Sequence, residues 1–139
     1  MINWYNAGTG SYLAIFEEEA RIDADSWSAS TDVDLLSSGS GSTDHISGYN
    51  AFYGNTGWLV LNEISSYSGC TVRSGRFRFN QTYLDGGSYT LNQKKHMACN
   101  SIGTLLGLSR DNVNNGCMNG TIVAPFPSAH DRTMINGIY

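Results

Sequence analysis

The stretch His96-Met-Ala-Cys-Asn-Ser-Ile-Gly-Thr-Leu-Leu-Gly-Leu-Ser-Arg-Asp-Asn-Val-Asn-Asn-Gly-Cys-Met-Asn119 decides how this chain is read. Its first half belongs to a helix expected over residues 91–108, with Met97, Ile102, Leu105 and Leu106 among its apolar positions. A loop is expected over 112–116. Cys99 and Cys117 flank the helix end and the loop, and Cys70 is the third cysteine. An odd count leaves at most one bridge and one free thiol. A Cys99–Cys117 bridge would contribute ~2–4 kcal/mol. Three buried thiols in a cytosolic protein are the alternative at this point.

Working outward, the period of the apolar residues changes several times. Residues 2–5 have strand composition and run into the Gly-rich turn 7–10. Tyr12, Ile15, Phe16, Ala20 and Trp27 then recur at helical spacing, which predicts one long amphipathic helix over 11–28. The run Glu17, Glu18, Glu19 points three ways on such a helix and is expected to be a solvated face. Val33 and Leu35 alternate with Asp32 and Asp34 as in a half-buried strand. A Ser/Gly loop is expected over 37–43, and strands over 45–53, 57–62 and Thr71–Asn80. In the last of these Val72 lies on even parity and Phe77 and Phe79 on odd, so a bulge near Gly75 is expected to reset the buried side. A turn follows over 83–88. The tail 129–139 predicts a short closing helix with Met134 and Ile135 as its apolar contacts. The order of elements predicts one α+β domain over residues 1–139, a three-layer arrangement of mixed sheet and helices.

Composition narrows the function classes. Hydrophobic residues make up 40% of 139, enough for one core, while charged residues are only 14%. That profile favours a loop-rich extracellular domain over a disordered chain. The net charge is −4, which argues against a nucleic-acid partner. No apolar run approaches the ~18 residues of a membrane span. With no signal peptide at its start, the chain is expected to be a mature secreted domain carrying a start Met, and a monomer.

Within the opening stretch, Asn100, Ser101, Thr104, Gly107 and Arg110 stand at positions with a known chemical counterpart. The spacing resembles the H-E-x-x-H-x-x-G-x-x-H of metzincin zinc proteases, followed by a Met-containing turn. In that motif two His one helical turn apart reach one zinc ion. The Glu takes a proton from zinc-bound water, and the Gly lets the third ligand swing back. By this resemblance Asn100 replaces the first His, Ser101 the catalytic Glu, Thr104 the second His and Arg110 the third ligand. Gly107 is kept, and Met118 matches the Met-turn. Further pieces, Asn55-Thr-Gly-Trp-Leu-Val-Leu61, Gly75-Arg-Phe-Arg-Phe-Asn80 and the tail from Ala129, fall in the order seen in the secreted matrixin-like and snapalysin-like bacterial enzymes. The resemblance implies a twisted mixed sheet of about five strands, a backing helix, an active-site-type helix below a cleft and a C-terminal helix. It also implies a Cys99–Cys117 disulfide.

The chemistry expected of that cleft is altered. Amide and hydroxyl oxygens are poor zinc donors. At ~4 Å and an effective dielectric of ~20, Arg110 would repel a unit charge by ~4 kcal/mol and a divalent ion by about twice that. No metal or other cofactor is expected, and no catalytic residue. His45, His96 and His130 could form a relocated metal site, but packing for His96 and helix capping for His130 are the plainer expectations. Ser101 and His96 lie about 140° apart around a helix, so a hydrolytic dyad is not expected. The leading reading is an inactive protease-like domain that binds peptide or protein in the remnant cleft, with Trp58, Leu59, Val60 and Leu61 as its binding strand and a pocket near Asn100, Thr104 and the 118–125 segment. The alternatives are a metalloendopeptidase with a non-standard site and a scaffold with no ligand.

Overall fold

Strand β1 (Ile2–Ala7) alternates buried Ile2 and Trp4 with half-buried neighbours, as a strand covered on one face should. The computed structural model describes residues 1–41, 44–121 and 123–139. The sheet order is β2-β1-β3-β5-β4, with β2 (Leu35–Ser37), β3 (His45–Ala51), β4 (Val60–Ser68) and β5 (Thr71–Asn80). The first four strands in that order run parallel, and β4 closes one edge antiparallel to β5. The Ser/Gly loop expected over 37–43 includes Ser42 and Thr43, which lie outside the described residues; Ser37 itself ends β2.

Helices pack against one face of this sheet. Phe16 of α1 (Ser11–Glu17) sits edge-on to Phe77 and Phe79 of β5, with ring centroids 4.8 and 4.9 Å apart. Rings of that size contribute ~1.5–3 kcal/mol each when buried. The opposite face carries Tyr5, Tyr49, Arg76 and Arg78, half-buried or exposed, and the depression there is lined by sheet residues alone. The α+β class stands, but the expected three layers become one helical layer on a sheet, because no described helix covers that second face.

The long helix predicted over 11–28 is interrupted. After α1 the chain widens into a π-helical turn, Glu18–Ile22, and Asp23 is extended. A new helix, α2 (Trp27–Ser30), starts from the Ser26 cap. The break aims Trp27 under the later helix α4 (Leu91–Leu105), where its indole N–H donates to the Cys99 carbonyl at 2.9 Å. The wide turn also carries Glu19 inward, leaving it 1% exposed. The glutamate run is therefore not a solvated face: Glu17 accepts from Trp4 and Asn6, and Glu18 pairs with Lys95 at 2.9 Å.

The parity change in β5 has its cause slightly before Gly75. Ser66 pairs with Ser74 but Tyr67 pairs with Val72, so Arg73 is an extra residue, and Ser65 is extra on β4. Val72, Gly75, Phe77 and Phe79 are all buried as a result. A one-turn helix, α3 (Gln81–Leu84), occupies the start of the region expected as a turn. The closing helix α5 (Ala129–Asn136) buries Ile135, whereas Met134 is 46% exposed and is not the core contact expected. Its cap is Ser128 with Asp131, not His130, which is exposed. Among the described residues no helix is long and apolar enough to cross a membrane.

Candidate functional site

Helix α4 is fixed at both ends. Thr90 and Gln93 form a capping box at its start. At its end Gly107 takes φ +101°, a conformation that a side chain disfavours, and Leu108 N–H returns to the Gly103 carbonyl at 3.0 Å. The chain then doubles back. Asp111 N–H donates to the Met118 carbonyl and Gly120 N–H to the Asp111 carbonyl, both at 2.8 Å. Cys117 is bonded to Cys99, with Cα atoms 5.8 Å apart, and Cys70 is free and exposed. Met118 is fully buried below Gly103, where a Cβ would come within 2.5 Å of its sulfur.

These constraints gather most of the residues singled out by spacing. The Asn100 amide donates to the Cys117 carbonyl at 2.8 Å, and its oxygen lies 3.4 Å from an Arg110 Nη. Thr104 is turned away: its hydroxyl donates to the Asn100 carbonyl at 2.9 Å, and it does not line the cleft above. Ser101 is 1% exposed at the cleft floor, and no hydrogen bond joins it to His96. His96 instead places Nδ1 at 3.0–3.1 Å from the carbonyl and N–H of Ala124. Burial lowers its pKa, its bond to Ala124 opposes that, and the Arg110 charge adds to the lowering.

The far wall of the cleft is the start of β4. Trp58, Leu59 and Val60 line it. Leu61 does not, and Asn62 takes its place. Pairing explains the exchange. Val60 and Asn62 sit opposite Phe79 and Phe77, on the helix face, while Leu61 sits opposite Arg78 on the other. Asn80 N–H donates to the Leu59 carbonyl at 2.9 Å, so Leu59 directs its backbone groups toward β5. By antiparallel alternation, Val60 and Asn62 turn theirs to the open edge. The Asn62 side-chain oxygen is buried without a hydrogen-bond partner.

The cleft between this edge and α4 measures about 410 Å³. Met97 and Gly120 complete it; spacing alone did not single them out, because their exposure depends on where β4 and the returning loop lie. A second cleft, about 440 Å³, lies near Met1, Asn3 and Tyr139. Its charged residues already pair with each other, Arg73 with Asp44 at 3.3 Å, so it offers less unsatisfied chemistry. The 118–125 segment expected near the pocket includes Ile122, which lies outside the described residues.

The cleft residues do not fit a zinc ion. Asn100 has its amide on Cys117 and its oxygen beside a guanidinium, and His96, the one histidine lining the cleft, has Nδ1 on Ala124. Among the described residues no three His, Cys, Asp or Glu side chains gather where they could hold a metal. The three histidines are not brought together: His45 lies edge-on to Tyr5 on the sheet, His96 meets Ala124, and His130 is exposed on α5.

The chain matches no protein-family model and no curated protein.

Proposed function

We propose that this chain is a metzincin-like domain whose cleft binds an extended peptide, or an extended segment of a protein, without hydrolysing it. The observation that carries the reading is that the edge strand β4 and helix α4 line one cleft. An incoming strand would pair with the outward backbone groups of Val60 and Asn62, the usual mode of strand addition. Its side chains would alternate between solvent and the Trp58, Met97 and Ser101 surface.

Three features support the family likeness: the left-handed turn at Gly107, the return of Arg110 to Asn100, and Met118 beneath Gly103. Loss of catalysis is supported by the donor set. An amide, a hydroxyl bonded back to its own helix and a guanidinium supply neither a zinc site nor a base, so no hydrolytic step follows from them. The Cys99–Cys117 bridge supports an oxidising, extracellular setting.

The test is binding of a fluorescent pool of N-acetylated random hexapeptides to the wild type and to Val60→Pro. Proline there removes an outward N–H and leaves the β4–β5 hydrogen bonds intact. The wild type should bind, the folded variant should lose at least about tenfold in affinity, and mass spectrometry should return the peptides uncut. Chelator-sensitive cleavage would favour an endopeptidase, and no binding by either form a scaffold without a ligand.

A further inference from the structure

Resting on that peptide-groove reading, we propose that the cleft selects peptides bearing a carboxylate, either C-terminal or on an Asp or Glu side chain, which Arg110 takes. The first observation is charge pairing. Arg21, Arg73, Arg76 and Arg78 each meet a carboxylate. Arg132 turns back on the Pro127 carbonyl at 3.2 Å. Arg110, among the described residues, has no carboxylate within ion-pair distance, and its one hydrogen bond, to Asn100, is long at 3.4 Å. A guanidinium has five N–H donors, so most of its capacity is open.

The second observation is what surrounds it. No Asp or Glu lines the cleft, although the chain carries twelve acidic residues against eight basic ones. Arg110 is thus an exposed fixed cation lining the groove, with its guanidinium open to a charge-assisted, bidentate bond to a carboxylate.

The third observation fixes the ligand as a peptide rather than any small anion. The open edge of β4 turns backbone groups of Val60 and Asn62 outward, and both residues line the same cleft as Arg110. Those groups pair with the backbone of an incoming strand, while Arg110 needs an anion. A peptide strand offers backbone N–H groups and a carboxylate on one molecule; acetate or phosphate offers only the second.

The experiment compares three fluorescent hexapeptide pools, all N-acetylated. One lacks Asp and Glu and ends in a carboxamide. One lacks them and ends in a carboxylate. One ends in a carboxamide and carries a single Asp or Glu. One acidic pool or both should bind the wild type about tenfold more tightly than the neutral pool. Whichever gains identifies the carboxylate as terminal or side-chain. With Arg110→Gln the preference should fall to about twofold or less, Arg110→Lys should keep part of it, and added salt should shrink it. Equal binding of all pools, unchanged in Arg110→Gln, overturns the carboxylate and leaves the peptide groove standing. No binding of any pool overturns both. Circular dichroism of each variant confirms that lost preference is not lost fold, and if Arg110→Gln is unfolded, Arg110→Lys and the salt series decide by the same criteria.

Discussion

The Arg110 guanidinium comes back to 3.4 Å from the side-chain oxygen of Asn100, ten positions earlier in the chain. Gly107 makes the return possible, because its φ of +101° ends α4 and reverses the backbone. If that geometry is metzincin-like, returning the family's side chains should rebuild a metal site. The combined change Asn100→His, Ser101→Glu, Thr104→His and Arg110→His is expected to bind one zinc ion per chain at about micromolar metal or below. The wild type is expected to bind none. Calorimetry with zinc decides it, and a folded variant that ignores zinc would count against the likeness.

Gly103 is the point where α4 comes closest to its floor. A Cβ there would lie 2.5 Å from both the Met118 sulfur and the Trp27 ring. Gly103→Ala gains ~1 kcal/mol in helix propensity. Overpacking of a filled site costs ~1–3 kcal/mol. Overpacking should win, since Trp27 is fully buried and tied to the Cys99 carbonyl. The urea midpoint of Gly103→Ala should fall, equivalent to a net loss of up to ~2 kcal/mol. A rise would mean that the floor is loose.

Glu19 gives the stability a pH dependence. Burial pushes its carboxyl up from 4.5 to about 8; Lys95 opposes this, while Asp23, Asp25 and Glu18 add to it. Lys95 cannot offset the burial, because it lies 3.8 Å from Glu19 but 2.9 Å from both Glu18 and Asp23. That Glu19 oxygen is left without a hydrogen-bond partner. Between the unfolded and folded values the folded chain keeps a proton that the unfolded chain has released. This contribution is therefore complete at low pH and is lost as pH rises from about 4.5 to about 8. The slope approaches ~1.4 kcal/mol per pH unit inside that window. Glu19→Gln should remove it, as read from urea unfolding at pH 5 and pH 7.5. An unchanged slope in the variant would place the dependence elsewhere.

Some of this architecture could be read from residue order and some could not. Strand β5 and the Gly107 stop are visible because glycine and alternating phenylalanines report local backbone needs. The Cys99–Cys117 bridge, implied by the resemblance, is present. The far half of β4 was missed because it is polar and its residues 64–68 are exposed, so no alternation marks it. The π-turn was missed because Tyr12, Ile15, Phe16, Ala20 and Trp27 fit a regular helix, and only packing against α4 reveals the break. In the cleft, Asn100 and Arg110 were visible through spacing. Asn62 was not, since its place depends on strand pairing, and Thr104 turned inward because its hydroxyl found a carbonyl on its own helix.

The most direct measurement is residue-resolved amide hydrogen exchange with the hexapeptide pools at saturation. Strand addition at the open edge predicts that the Val60 and Asn62 amides slow markedly, that Leu61, already directed toward β5, changes little, and that the peptides are recovered intact. Unaltered exchange at Val60 and Asn62, or cleaved peptides, would contradict a groove that holds an extended chain without cutting it.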